Sequence, residues 1–353
     1  MKKVKVAVIF GGKSTEHEVS NVSGTSVIQN LNKEKYEIFP IYINKEGKWF
    51  EYTEEVEKIQ ILELNKEPEK LKEINSINEY LKNMDVILPI LHGLYGEDGT
   101  IQGMFEVLGK KYVGCKVLAS TVCMDKVYSK MIFEKAQINQ TKYITIKAND
   151  KYIYVDEALN EEEIKLEEIV AKAEEKLKYP MFVKPSNSGS SVGVTKVECA
   201  KELENAIITA KKYDKEILIE EGIIGKEVEC AVLEADGEVK ASCTGQILSA
   251  EEFYSYSSKY TNAESRTLIP ADISKEKQEE IQKLAIKAFK AVNGSGISRI
   301  DFFIEDKTNK VYLNEINTMP GFTKISMYPQ LWNKSGLPYS KLLDKLIENA
   351  LKN

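Results

Sequence analysis

Apolar runs of strand length alternate with polar, helix-like segments through the first 122 residues. Lys3–Phe10, Ile38–Ile43 and Val86–Leu91 read as strands, Glu18–Leu31 as a helix, and the charged stretch Val56–Lys82 as helical. That alternation predicts an open α/β unit with a mostly parallel sheet. From Asp125 the rhythm changes. A predicted helix, Lys126–Lys135, leads through strands to a highly charged helix, Glu161–Lys178, that reads as a solvated face. Strand Met181–Lys184, a Ser/Gly loop, strand Gly193–Val197, helix Lys201–Lys212 and strand Glu216–Glu220 follow. The remainder predicts further strands, a polar loop at Ser249–Pro270, helix Lys275–Val292 and a hairpin of strands Ile297–Ile304 and Val311–Asn317 across the turn Glu305–Lys310. A helix near Lys341–Leu351 closes the chain, and no internal repeat or low-complexity tract is present.

Composition narrows the class. With 353 residues and 42% hydrophobic content, two or three compact units are expected. No apolar run approaches the ~20 residues of a membrane span, and MKKVKVAVIFGG reads as a first strand, its apolar run being too short for a secretory segment. The net charge of −6 comes from interspersed Lys and Glu, which gives no basic patch for nucleic acid. Five scattered cysteines without a C-x-x-C fit buried thiols in a reducing cytoplasm. Two histidines, His17 and His92, exclude a His-rich zinc site. Arginine occurs only at Arg266 and Arg299.

The predicted hairpin carries the densest chemistry. Side chains alternate faces along a strand, so Arg299 and Asp301 share a side, as do Glu315 and Asn317. Paired, the strands put two carboxylates, an amide oxygen and a guanidinium on one surface. Three hard oxygen ligands suit Mg²⁺, and an arginine beside them suits a planar or phosphorylated anion. The alternative is a hairpin with a merely wet polar face. The loop Thr318-Met319-Pro320-Gly321 counts against it, because it can aim a backbone N–H back at the same surface.

Other segments add candidates. Gly11-Gly12-Lys13-Ser14 resembles a P-loop but lacks its first glycine, since position 7 is Ala7, and G-x-G-x-x-G is absent. What remains is a glycine turn into a helix N-terminus, an anion-favouring place that carries Glu16 and His17. His92 opens a glycine-rich loop, HGLYGEDG, after an apolar strand, where open α/β sheets bind ligands. In FVKPSNSGSSVGV a buried strand delivers Lys184 to a Ser/Gly loop able to fold over polyphosphate. EILIEEGIIGKE ends a strand in paired carboxylates, with Glu220 or Glu227 placed to hold ribose hydroxyls. Phe253–Tyr260, FYSYSSKY, lies in a long polar loop of lid character and offers Lys259 and Tyr260.

In order, GGKSTEHEVS, LHGLYGEDGTIQG, MDKVYSK, FVKPSNSGSSVGV, ILIEEGIIGKEVE, FYSYSSKY and RIDFFI…LNEINTMPGFT resemble the D-alanine–D-alanine ligases of the ATP-grasp superfamily over nearly the whole chain. The resemblance implies an α/β (α+β) protein: a Rossmann-like N-terminal unit, residues 1–122, then a two-lobed ATP-grasp fold divided into 123–222 and 223–353. It implies ATP-dependent, ADP-forming synthesis of D-alanyl-D-alanine through an acyl phosphate for peptidoglycan, in a cytoplasmic homodimer with no nucleic-acid or membrane partner. Lys126, Lys184 and Ser191 would meet the ATP phosphates, with Lys259 facing the transferred one. Glu220, Glu221, Ile223 and Glu227 would border adenine and ribose. Asp301, Glu315 and Asn317 would hold two Mg²⁺ ions, with Mn²⁺ an alternative. Glu16 would take the ammonium of the first D-alanine, in a network with Ser190 and Tyr260. His92 would lie near the acyl phosphate, Arg299 and the Gly321 N–H would stabilise the oxyanion, and Ser326 and Met327 would bind the second substrate.

Ser255 stands where many members have the acid of F-Y-D-Y, and Lys142–Lys178 is longer and more charged than in short members. Lys259-Tyr260 is the pattern of peptide-forming enzymes and disfavours D-lactate. D-serine as second substrate stays open through Lys324–Met327, and a non-catalytic nucleotide sensor is the alternative of a different class.

Overall fold

The computed structural model describes residues 2–248 and 266–352. Its first sheet grows from β1 (Val4–Gly11), whose branched apolar residues are buried on both faces. The chain passes through α1 (His17–Asn30) and returns as β2 (Tyr36–Ile43), parallel to β1. β3 (Trp49–Tyr52) and β4 (Leu71–Glu73) extend that edge antiparallel. After the short α2 (Ile77–Leu81), β5 (Val86–Ile90) pairs parallel with the other side of β1. The expected parallel core is therefore there, inside a mixed sheet of order β4-β3-β2-β1-β5.

The stretch Val56–Lys82 is not one helix. It holds a single 3₁₀ turn at Val56–Lys58, then β4 and α2. Asn65 sits at φ +63° and Pro68 follows, and either interrupts helical hydrogen bonding.

Helices α3 (Thr100–Val107), α4 (Val117–Met124) and α5 (Lys126–Lys135) lead to the second sheet. It contains β6 (Tyr143–Ala148), β7 (Tyr152–Val155) and β8 (Glu161–Ile164), then, after α6 (Leu166–Lys176), β9 (Met181–Pro185) and β10 (Thr195–Val197). Helix α7 (Ala200–Ala210) precedes β11 (Glu216–Glu221), and the order is β10-β9-β11-β6-β7-β8 with antiparallel pairings. The predicted helix Glu161–Lys178 thus begins as strand. Glu161, Glu162 and Glu163 each meet a lysine, Lys147, Lys172 and Lys151, and this pairing lets an acidic run sit at a sheet edge. The rest of that stretch is α6, which buries Ile169 and Ala173.

The third sheet is antiparallel: β12 (Gly225–Ala235), β13 (Glu238–Leu248), β14 (Arg266–Leu268), then β15 (Ile297–Glu305) and β16 (Val311–Asn317), in the order β14-β13-β12-β15-β16. Helix α8 (Lys275–Ala291) covers one face, burying Ile281, Ala285 and Phe289 with Val228, Cys230 and Val232. Alternate residues Ala231 and Leu233 face the other way, under α9 (Met327–Lys334) and α10 (Tyr339–Lys352). That second face is apolar at one end only. Moving along it from Ala231, which pairs with Arg299 on β15, the side chains become Glu229, opposite Asp301, and then Glu227, opposite Phe303.

Helix α10 locks this assembly to the first sheet. Asp344 accepts hydrogen bonds from Lys35 Nζ at 2.8 Å and Tyr36 OH at 3.0 Å. The polar face of α1 completes the joint. Ser20 Oγ accepts from the Gly11 N–H at 2.8 Å and donates to the Ile90 carbonyl at 2.5 Å, so the ends of β1 and β5 are pinned to one helix. Only glycine fits at position 24, where an added methyl would stand 2.5 Å from Phe10 Cγ.

Candidate active site

The charged end of the third sheet forms the floor of the site. The pairing of β15 with β16 sets Arg299 opposite Asn317 and Asp301 opposite Glu315, the arrangement the alternation predicts. The Arg299 guanidinium forks onto Asp301, with Nε to Oδ1 at 2.8 Å and NH2 to Oδ2 at 2.7 Å. Its Nε also lies 3.0 Å from Glu229 Oε2. The Asn317 amide donates to Asp301 Oδ2 at 3.0 Å, which leaves the amide oxygen as its remaining polar atom. Asp301 is buried beneath this layer, while Arg299, Glu315 and Asn317 reach the cavity wall.

Over this floor lies a cavity of about 140 Å³ lined by Glu16, His92, Ser190, Gly321, Ser326 and Met327 among others. Glu16 immediately precedes α1 and is buried. Its backbone N–H donates to Ser14 Oγ at 3.1 Å, and Ser14 Oγ in turn donates to the His92 carbonyl at 2.6 Å. Ser190 Oγ donates to Glu16 Oε1, which ties the Ser/Gly loop across the cavity to α1. Ser190 and Ser191 hold φ of +48° and +61°, a region that L-residues enter only when their surroundings hold them there. Here the holding groups are Glu16, the Ser188 Oγ bond to the Val192 carbonyl at 2.7 Å, and Lys126 on the Ser188 carbonyl at 2.5 Å.

His92 spends both ring nitrogens on the protein. Nδ1 lies 3.0 Å from the Met319 carbonyl, which can only accept, so Nδ1 carries the proton, and Nε2 at 3.0 Å from Ser23 Oγ is the acceptor. Burial holds its pKa below the ordinary histidine value, so the ring is neutral. Ser326 Oγ accepts the Thr323 N–H at 2.9 Å and shapes the turn after Gly321.

A second cavity, of about 460 Å³, opens between the second and third sheets. Lys126, Lys184, Ser191, Glu220, Glu221, Ile223 and Glu227 line it among others. Burial alone would raise the Glu220 pKa, but Lys130 and Lys184 together overcome that and keep the carboxylate ionised. For Lys126 burial prevails, partly opposed by Glu315, and its pKa falls below the usual lysine value. The two cavities share a wall made of Lys126, Ser188, Ser190, Ile247 and Glu315. A molecule in one is therefore separated from a molecule in the other by one ammonium, two serines, one carboxylate and the Ile247 side chain.

All the described candidates converge here. Lys259, Tyr260 and Ser255 lie outside the described residues. Four neighbours of these candidates escaped the sequence reading. Glu229 holds Arg299, and its position two residues after Glu227 on a strand was the available signal. Glu97 accepts the Met319 N–H at 2.9 Å and the Gly93 N–H at 3.1 Å, joining two loops of the site. Burial, reinforced by Glu16, pushes its carboxyl up to about 8. Lys130 lies one helical turn after Lys126 and pairs with Glu220 at 2.9 Å. Asp125 caps α5 through the Val127 and Tyr128 N–H groups, both at 3.1 Å.

Among the described residues no cluster of three His, Cys, Asp or Glu side chains could hold a metal. A set of two carboxylates and an amide oxygen still fits Mg²⁺, which keeps water and phosphate oxygens as its other ligands.

The D-ala D-ala ligase N-terminus family matches residues 5–115, and the D-ala D-ala ligase C-terminus family matches 132–348. The D-alanine–D-alanine ligase of Clostridium acetobutylicum is 50% identical over 354 residues, covering 99% of this chain and 98% of its own. D-alanine–D-alanine ligase B of Clostridium tetani is 49% identical, covering 100% of this chain and 95% of its own. Among solved structures, the VanG D-Ala:D-Ser ligase from Enterococcus faecalis superposes with a TM-score of 0.83 at 39% identity, over 99% of this chain and 100% of that one. The D-alanine–D-alanine ligase from Coxiella burnetii gives 0.81 at 32%, over 100% and 95%.

Proposed function

This chain belongs to the D-alanine–D-alanine ligase family, and from that premise we propose how its residues divide the reaction. It has the ATP-grasp fold and is an ATP-dependent, ADP-forming ligase that joins two D-alanines for peptidoglycan synthesis. The wall shared by the two cavities carries the assignment of residues: nucleotide on the Lys184 side, amino acids on the Glu16 side, phosphoryl transfer where they meet.

In the smaller cavity Glu16 takes the ammonium of the first D-alanine. A carboxylate oxygen of that substrate attacks the γ-phosphorus, and the bond to the bridging oxygen of ADP breaks. The amine of the second D-alanine then attacks the acyl carbon, and phosphate leaves with the bonding electrons and takes up the proton that the amine sheds. Both steps concentrate negative charge, so prearranged cations and N–H donors supply the catalysis without a protein nucleophile. Lys126 and Lys184 meet the phosphates beside Ser191, while Glu220, Glu221, Ile223 and Glu227 surround the nucleoside. Arg299 and the Gly321 N–H face the oxyanion, and Ser326 and Met327 border the second amino acid. His92 acts by holding the Met319 loop. Lys259 and Tyr260 keep the phosphate and Glu16 roles that the family pattern implies. The Ser190–Glu16 bond closes the Ser/Gly loop over the site, which suits an intermediate that water would destroy.

Asp301, Glu315 and Asn317 would hold the Mg²⁺ ions, and bound there the metal neutralises phosphate charge. Arg299 balances Asp301 in the arrangement described above.

We divide the chain at about 122 and 222. We place the protein in the cytoplasm, a reading that its scattered cysteines support, and among the described residues no helix is long and apolar enough to cross a membrane. A homodimer is favoured by the exposed apolar residues Val107 on α3, Val117 and Leu118 on α4, and Tyr95 in the preceding loop.

D-serine is the second reading for the incoming amino acid, favoured by the likeness to a D-Ala:D-Ser ligase. Mass spectrometry of products from ATP, Mg²⁺, D-alanine, D-serine and D-lactate decides. D-alanyl-D-alanine as the main product supports the assignment. D-alanyl-D-serine in excess transfers it to the second reading, and ADP formation without any dipeptide refutes both.

A further inference from the structure

Behind the larger cavity lies a buried group of four side chains that the reaction above does not fully use. Glu220 Oε2 accepts from Lys130 Nζ at 2.9 Å and from Thr141 Oγ1 at 2.8 Å, and Lys130 Nζ also donates to Thr141 Oγ1 at 3.0 Å. The other oxygen, Oε1, pairs with Lys184 Nζ. Thr141, Glu220 and Lys184 form part of the cavity wall, whereas Lys130 stands behind it, its side chain 5% exposed. One buried carboxylate thus serves two ammonium groups, and only one of these can reach a ligand.

That asymmetry has an energetic consequence. A buried carboxylate that loses its only counter-charge is strongly disfavoured. Were Lys184 the sole partner of Glu220, moving its ammonium onto a phosphate would strand the acid. With Lys130 and Thr141 on the opposite oxygen, Glu220 stays compensated when Lys184 leaves. The surplus ammonium is held ready, and the phosphate collects it without breaking a lone buried pair. Lys126, bonded to the Ser188 carbonyl, and the carboxylates Glu315 and Glu227 also face this place.

We propose that Lys130 is a positioning residue: by holding Glu220, it releases Lys184 from the acid to the nucleotide phosphates. The inference rests on reading the larger cavity as the nucleotide site, and the test separates the two claims. Equilibrium dissociation constants for ADP and for adenosine are measured on the full chain and on Lys130→Met, Lys130→Arg, Lys184→Met and the double variant Lys130→Met/Glu220→Gln. Lys130→Met is expected to weaken ADP by roughly 10- to 100-fold, the worth of one charge-assisted hydrogen bond, while adenosine changes less than about threefold. Lys130→Arg restores most of the loss. The double variant recovers the wild-type ratio of ADP to adenosine affinity, because a neutral amide in place of the carboxylate no longer retains Lys184.

A purely structural Lys130 would weaken both ligands equally and would not be rescued by the second substitution, and that result overturns the proposal. Should Lys130→Met fail to fold, the double variant carries the test alone, with a reduced ratio as the contrary result. If Lys184→Met leaves ADP affinity unchanged, the nucleotide reading itself falls. If Lys184→Met weakens ADP but Lys130→Met does not, only the role of Lys130 falls.

Discussion

Glu97 is a buried carboxyl whose protonation is governed mainly by burial and a neighbouring carboxylate. Its carboxyl titrates near 4.5 in the unfolded chain and is pushed up to about 8 by burial and the neighbouring Glu16. The folded state therefore holds a proton that the unfolded state has released. The stability this contributes is fully present below about 4.5 and is lost as pH rises through about 8. Glu97→Gln removes that titration. Its melting temperature relative to wild type should climb between pH 5 and pH 8.5, and thermal scans across that range check it. A gap independent of pH contradicts the assignment. The floor of the site gives a second prediction. Glu315→Ala should keep the wild-type melting temperature within a few degrees and lose about 10²–10³ or more of D-alanine-dependent ADP formation. Arg299→Ala should lose activity and also about 3–5 kcal/mol of stability, because Asp301 and Glu229 are left buried without their counter-charge. Chemical denaturation distinguishes the two variants.

At the level of elements, the N-terminus of α5 couples helix stability to the larger cavity, which Lys126 lines. Asp125 caps the helix and also accepts from Ser186 Oγ at 2.7 Å and Asn187 Nδ2 at 3.1 Å. Asp125→Ala should cost about 1–2 kcal/mol and raise the KM for ATP more than that for D-alanine, measured by denaturation and by phosphate release. Strands and strongly periodic helices were legible in the sequence, as in β15–β16 and α8, because alternation and 3.6-residue spacing follow from burial on one side. Val56–Lys82 and Glu161–Lys178 were not. Their charge suggested helix, while Pro68 broke the first and cross-strand lysines drew the start of the second into a sheet edge. The site was legible where a motif delivered the side chain. It was illegible where the partner comes from a distant element: Glu229 beside Arg299, or Glu97 beneath Met319.

For the whole molecule, three sheets are joined so that the carboxyl end of the first faces the charged end of the third, with the second closing from the side of the larger cavity. Helix α10 and the Asp344 bonds fix the first joint, and the Ser190–Glu16 bond makes the second. The exposed apolar residues of α3 and α4 sit away from these joints and suit a second copy of the chain. Leu118→Asp should shift sedimentation from dimer toward monomer, and an unchanged sedimentation coefficient argues against that face. The central claim is that a D-alanine carboxylate and the γ-phosphate meet at the wall between the two cavities. Turnover with D-alanine labelled with ¹⁸O in its carboxylate tests it directly, read by mass spectrometry of the released phosphate. The account predicts one ¹⁸O carried into each phosphate, and unlabelled phosphate accompanying dipeptide would contradict it.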